Sequence, residues 1–249
     1  LNKLDYENFY DKVGKINGWD FSNIKSFSEG VRWELYEEVI KKCKVTDVLL
    51  DIGTGGGENI LRIAPSLFFL IGIDLSSGML ETAQSNLNDS HAQNVKFFQM
   101  SSDDLTFPSG FFDIISNCHA PFCSTEVAKV LKSGGWFLTQ QVSEADKLNI
   151  KKAFGRGQAY DDTDGTLKEQ YIRELKEAGF SEIQSFEYDA IEYFDRPEDL
   201  MFLLTHTPII PNFGEEEKDF EILNDFIEKN RKEKGIQTNS QRFLIIAQK

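Results

Sequence analysis

The sequence predicts an α/β protein: a doubly wound, mostly parallel sheet of seven strands, with a helical cap before it and a helical insertion ahead of the last strand. Three observations predict it. Short apolar runs bounded by turn residues alternate with amphipathic segments from Val48 to Gln141. The first run, VLLDI, leads into a glycine-rich turn, GTGGG, that opens a helix. The second run, FFLIGID, ends in an acidic residue, Asp74.

Residues 1–45 mix aromatic and polar residues at helical spacing, interrupted at Gly18 and Gly30. They predict two or three helices packed over one edge of the sheet, with Tyr6, Tyr10 and Trp19 able to line a site there. Val48–Ile52 is the first strand, and the helix Glu58–Ile63 ends before Pro65. The strand Phe69–Ile73 is followed by a helix, Ser77–Leu87, with Met79, Leu80 and Ala83 on one face. Strands Val95–Gln99 and Phe112–Ser116 come next. The helix Thr125–Leu131 is stopped by Gly134 and Gly135, and Trp136–Gln141 is the fifth strand.

Beyond it lie a helix Glu144–Phe154, a polar loop GRGQAYDDTDG, a helix Leu167–Ala178 and a long alternating strand Ser181–Phe194. Residues 196–241 read as the insertion. Its helices, near Glu198–His206 and Glu216–Lys232, flank the turn TPIIPNFG. Phe243–Gln248 is the last strand, so the core comprises residues 46–195 and 242–249.

Composition narrows the function. The chain has 249 residues and a formal net charge of −14. Nucleic-acid binding needs a basic footprint, and KKCK and KNRKEK are too short to supply one. A small-molecule partner is expected instead. No apolar run approaches the ~18 residues of a membrane span, and the start, LNKLDYENFYDKVG, lacks the apolar stretch of a signal peptide. Cys43, Cys118 and Cys123 form no C-x-x-C pair, so neither a disulfide framework nor a metal site is expected, and the setting reads as reduced and cytoplasmic.

The glycine turn carries the chemistry. Gly53, Gly55 and Gly57 give G-x-G-x-G, whereas a dinucleotide fingerprint wants its last glycine where this chain has Glu58. Asp51 would repel a pyrophosphate and attract an ammonium group. Asp74, at the tip of the second strand, falls where an acidic residue binds ribose hydroxyls. S-adenosylmethionine (SAM) has adenine, ribose, an amine and a sulfonium, and no phosphate. The residues therefore favour SAM over a nicotinamide dinucleotide.

With these motifs the chain resembles the class I SAM-dependent methyltransferases, in particular a methyltransferase type 11-like domain. D-x-G-x-G-x-G matches Asp51 to Gly57, and GIDLSSGMLETA resembles the second-strand acidic motif and its helix. LTFPSGFFDII resembles the approach to strand four. EVAKVLKSGGWFLT resembles the helix, turn and fifth strand, with Ser133 in place of a proline. The resemblance covers roughly Val48 to Gln141 and implies a Rossmann-like fold, SAM as cofactor and transfer of its methyl group. It also implies the site residues. Gly53, Thr54 and Gly55, in the turn closed by Gly57, would approach the methionine part, and Asp51 would face its amine directly or through water. Asp74 would take the ribose, with Leu75 and Met79 packed on adenine. Where the family often has an acidic and then a small residue, this chain has Ser101 and Ser102, so the acidic contact to adenine would fall to Asp103. Asn117 would lie near the sulfonium.

The acceptor side is less readable. A base is needed only for a nucleophile that carries a proton of high pKa. His119, in SNCHAPFC after strand four, is the candidate; the alternative is a histidine that holds its loop through backbone hydrogen bonds. Gln140 and Gln141 end strand five, and at least one would orient the acceptor. Tyr10 and His206 are further candidates for the acceptor pocket, and His91 reads as structural. SNCHAPF departs from the N-P-P-Y motif of amino-methylating nucleic-acid enzymes, since Cys118 and His119 replace the prolines. It also resembles the A-P segment of ribosomal RNA guanine methyltransferases, but the cysteine-rich module of those enzymes has no counterpart here. An RNA base methyltransferase and a non-catalytic SAM-binding scaffold stay open as alternatives.

Overall fold

A computed structural model describes residues 24–249; Tyr6, Tyr10 and Trp19 lie outside the described residues. The first element is a strand, Ser26–Glu29 (β1), followed by a helix, Leu35–Lys42 (α1). The Glu34 carboxylate caps α1 by accepting the N–H groups of Tyr36 and Glu37, at 3.1 and 3.0 Å. Leu35, Tyr36 and Val39 turn inward.

Val48–Ile52 (β2), Glu58–Ile63 (α2), Phe69–Asp74 (β3), Ser77–Ser90 (α3) and Val95–Gln99 (β4) form the first half of the sheet. Phe112–Cys118 (β5), Ser124–Val130 (α4) and Leu131–Val142 (β6) begin the second. Leu148–Phe154 (α5), Thr166–Glu177 (α6) and the long strand Ser181–Phe194 (β7) follow. Pro197–His206 (α7), Glu217–Asn230 (α8), the two-residue Arg231–Lys232 (β8) and Gly235–Gln248 (β9) complete the chain.

The strands lie in the order β1-β7-β9-β6-β5-β2-β3-β4, with β8 paired to β9. β4, β3, β2, β5 and β6 pair in parallel, while β9 runs antiparallel to both β6 and β7. The chain leaves β2 toward β4 on one side and returns to β5 on the other. The order therefore reverses between β2 and β5, which is where a doubly wound sheet opens its ligand crevice.

Alternate residues feed two cores. Leu50, Ile52, Ile115, Phe137 and Ile245 pack against α4 and α6. Leu49, Ile114, Leu138, Leu244 and Ile246 pack against α1 and α2. A third cluster joins Phe154 of α5 to Leu200, Leu204, Leu223 and Phe226 of α7 and α8.

Among the described residues the sheet has nine strands, where seven were expected. β1 falls in the stretch read as helical: its residues, SFSE, are all exposed, so no buried periodicity marks them. It pairs with β7, Ser26 opposite Phe194. The last strand begins at Gly235, well before Phe243. Its first half, GIQTNSQ, buries Ile236, Thr238 and Ser240, and small polar residues on the inner face hide the alternation from a hydropathy reading. The insertion is thus shorter than residues 196–241. The helix expected from Glu144 starts only at Leu148, because Lys147 adopts a left-handed φ of 52° and Glu144 is engaged elsewhere. The Glu144 carboxylate accepts the N–H groups of Gly165 and Leu167 at 3.0 and 2.6 Å, capping α6.

Candidate active site

The crevice at the β2/β5 reversal is floored by the glycine turn. Gly53, Gly55 and Gly57 have φ of 73°, 56° and 76°, a region that side chains rarely adopt. A Cβ on Gly53 would sit 2.3 Å from that of Ala120, and one on Gly57 2.5 Å from the Phe97 ring. The turn is pinned to β3: Gly53 and Thr54 donate their N–H groups to the Ile73 carbonyl at 2.9 and 3.0 Å. Asp74 holds it from the side, accepting the N–H of Gly55 on Oδ2 and that of Ser76 on Oδ1, both at 2.9 Å. These two bonds orient the Asp74 carboxylate at the tip of β3.

Asp51 lies beneath the turn and is 0 % exposed. Its Oδ1 accepts from Ser116 Oγ at 2.6 Å and from the Tyr36 hydroxyl at 3.2 Å. Burial raises the carboxyl to about 6, and the Ser116 hydrogen bond opposes the rise. Burial, reinforced by Asp51, holds the Tyr36 hydroxyl well above its ordinary value, so it stays a donor. With Asp51 closed off from solvent, its reach toward a cation is through space or through Tyr36. Neither Tyr36 nor Ser116 was singled out from sequence. The available signal was the spacing of Leu35, Tyr36 and Val39, an inward helical face.

At the end of β5, Asn117 is buried. It donates to the Ile52 carbonyl at 3.0 Å and accepts from Thr139 Oγ1 and Gln141 Nε2 at 2.8 and 2.6 Å. Gln141 Nε2 also donates to the Ala120 carbonyl at 2.9 Å. The Gln141 amide thus secures the loop after β5, on the sheet face opposite Gln140.

Gln140 faces α1. Its Oε1 accepts from Trp33 Nε1 at 2.8 Å, and its Nε2 lies 3.1 Å from His119 Nε2. His119 has a left-handed φ of 54° and donates its backbone N–H to the Gln140 carbonyl at 2.9 Å. Burial, with Arg242 adding to it, lowers the His119 ring to about 3. Burial also pushes the neighbouring Cys118 thiol up to about 12. Both groups are neutral near pH 7.

The ends of β3 and β4 are tied together: Met100 donates its N–H to the Asp74 carbonyl at 3.0 Å, and Gln99 Nε2 donates to that of Leu75 at 3.0 Å. Ser101 Oγ accepts the Asp103 N–H at 3.2 Å, forming a small turn beside Ser102 with the Asp103 side chain exposed. Leu75 is half-buried and Met79 buried at the start of α3. His206, by contrast, bonds within its own helix, its Nδ1 lying 2.8 Å from the Phe202 carbonyl and its ring stacked on Phe202. No contact brings it to the other candidates. Among the described residues no cluster of metal-ligating side chains occurs.

The donor set fits SAM better than a dinucleotide. Two carboxylates flank a turn whose glycines admit close backbone approach, and their like charge disfavours a pyrophosphate.

Comparison with known proteins agrees with this geometry. Residues 49–135 match the model of a methyltransferase domain. The chain is 35 % identical over 125 residues to the uncharacterized methyltransferase YcgJ of Bacillus subtilis, covering 47 % of this chain and 49 % of that protein. A demethylmenaquinone methyltransferase of Symbiobacterium thermophilum is 27 % identical over 158 residues, 58 % of this chain and 62 % of that one. The matches thus span about half of this chain and, for YcgJ, about half of the relative. The fold extends further. The crystal structure of a putative methyltransferase from Bacillus halodurans superposes with a TM-score of 0.60 at 20 % identity, covering 86 % of this chain and 98 % of that one. The strand order, the glycine turn with its two carboxylates and the matched residues lead to one conclusion: residues 49–135 are a methyltransferase domain, of the kind found in the class I SAM-dependent methyltransferases.

Proposed function

We propose that the chain transfers the methyl group of SAM to a small-molecule acceptor. The observation that carries this reading is the glycine turn at the strand reversal, held by Asp74 and underlain by the buried Asp51. When bound, SAM supplies a methyl group already activated on a sulfonium. Asp74 binds the ribose hydroxyls, and Gly53, Thr54 and Gly55 line the methionine part by backbone. Asp51 draws the amine toward the end of β2. Leu75 and Met79 cover adenine, with Ser101, Ser102 and Asp103 at its edge, and Asn117 marks the end of the crevice nearest the methyl group. The protein's remaining work is to align the acceptor and exclude water, and alignment alone can supply much of a displacement rate.

The acceptor side is walled by the loop after β5, by β6 and by the segment between β7 and β9. In this reading α7 and α8, joined to α5 by an apolar cluster, form a lid beside the crevice. A small acceptor suits the charge of −14. It also suits the menaquinone-precursor relative, whose name gives a small molecule as its substrate. A basic groove would favour RNA. A hollow of about 840 Å³ does contain Arg32, Lys41, Lys42 and Lys168. Two of the four are paired with carboxylates, however, Lys41 with Glu38 at 2.6 Å and Lys168 with Glu187, which leaves Arg32 and Lys42 as its uncompensated charge. That is a small footprint for RNA binding.

The reading is tested by incubating the protein with methyl-labelled SAM and a panel of quinols, phenols, amines, thiols and carboxylic acids, with bulk tRNA and rRNA alongside. Label in a small molecule supports it. Label only in RNA overturns the acceptor class, and SAM binding with no transfer to any acceptor supports a scaffold.

A further inference from the structure

The contacts around His119 fix where its proton sits. An indole N–H can only donate. The Gln140 atom 2.8 Å from Trp33 Nε1 is therefore its oxygen, and the atom left to face His119 is its NH₂, which can only donate. At 3.1 Å from that NH₂, His119 Nε2 must accept, so it carries no hydrogen. In a neutral ring the hydrogen is then on Nδ1. Nδ1 makes no hydrogen bond among the described residues and is not one of the closed-off buried polar atoms, so it keeps some accessible surface and an unused N–H.

We propose that His119 serves as a neutral N–H donor toward an oxygen of the acceptor, not as the base, with its tautomer set by Trp33 through Gln140. The inference rests on the methyltransferase reading above, and it narrows the acceptor to molecules with a carbonyl, phenolate, enolate or carboxylate oxygen beside the methylated atom. The sheet supports this chemistry. One step along the same face from Leu244, the partner of Gln140, stands Arg242. Its Nη1 donates to Asp146 and to the backbone carbonyl of Gln241, and no hydrogen bond engages its Nε or Nη2 among the described residues. A second donor edge thus accompanies the first. The charged groups facing His119 are Arg242, Asp146 and Lys147; burial, aided by Arg242 and Lys147 and opposed by Asp146, holds the ring to about 3, so it stays neutral throughout the range in which a histidine base would titrate. Trp33 and Gln140 are positioning residues: they touch the ring or each other and act through it.

The test is long-range ¹H–¹⁵N NMR of the histidine side chains in the full chain, apo and loaded with S-adenosylhomocysteine. The sequence has only three histidines, so His119→Asn assigns the signal. The expected result is a hydrogen on Nδ1, with shifts flat from pH 8 to pH 5. Trp33→Phe frees the Gln140 amide to flip and should yield a mixture of tautomers. Gln140→Glu replaces the donor by an acceptor and should move the hydrogen to Nε2 and raise the ring's pKa by more than one unit. A tautomer unchanged in Gln140→Glu would mean that Gln140 does not set it, and would overturn the proposal. A wild-type hydrogen on Nε2, or a midpoint near pH 6.5, overturns the proposal. These readouts do not depend on turnover, so they stand or fall separately from the methyl-transfer assay.

Discussion

Asp74 and Asp51 show how two carboxylates of one site divide the work. Asp74 is partly open, is oriented by two backbone N–H groups, and is the residue proposed to hold the ribose. Hydrogen bonds to a charged group contribute about 1.5–3 kcal/mol each. Asp74→Ala should therefore weaken SAM binding by about 10- to 100-fold, read by calorimetry, with part of the loss coming from the released Gly55 N–H. Asp51 is closed in and its carboxyl is raised to about 6 from 3.8. The folded state holds this proton more tightly than the unfolded chain does. Its contribution to stability is therefore complete below 3.8 and is lost as the pH rises through about 6. At ~1.4 kcal/mol per unit, the loss is about 3 kcal/mol. Asp51→Asn should flatten this part of the stability profile, measured by urea unfolding at pH 4.5 and pH 7. An unchanged slope would place the titration elsewhere.

Elements set these residues in place, and they differ in how far the sequence announces them. β2, β3, β4 and β5 are short apolar runs ending at turn signals, and their expected positions agree with the structure to within two residues. The glycine turn and Asp74 were legible for the same reason: a fixed spacing after a buried strand. β1 and the first half of β9 were not, because exposed SFSE and polar IQTNSQ bury too little apolar surface to show a period. The loop from Ser143 to Lys147 was misread as helix because its charged residues are spent on tertiary bonds. Lys147 is 2 % exposed, bonded to Glu192 Oε2 at 2.5 Å and to the Asn239 carbonyl at 3.0 Å, and so ties β6 to β7 and β9. Removing one partner of a buried pair costs about 3–5 kcal/mol. Glu192→Gln should fall near the lower figure, since Asp146 lies 3.8 Å from the same ammonium. Urea unfolding would check it, and a change under 1 kcal/mol would mean that Asp146 alone suffices.

At the scale of the molecule, the donor site and the acceptor site are encoded differently. The donor site is local: three glycines and two aspartates lie within 24 residues of chain. In the proposed acceptor wall, Trp33 ahead of α1, His119 after β5, Gln140 near the end of β6 and Arg242 of β9 come together only after folding. No sequence spacing links Trp33 to Gln140, 107 positions apart. For the same reason the cofactor class was readable and the acceptor was not. The whole reading turns on the donor site. Titration calorimetry of the full chain with SAM, with NAD as the comparison, probes it without any acceptor. Saturable one-site binding of SAM in the micromolar range and none of NAD is expected. No heat with SAM at millimolar concentration, or tighter binding of NAD, would contradict it.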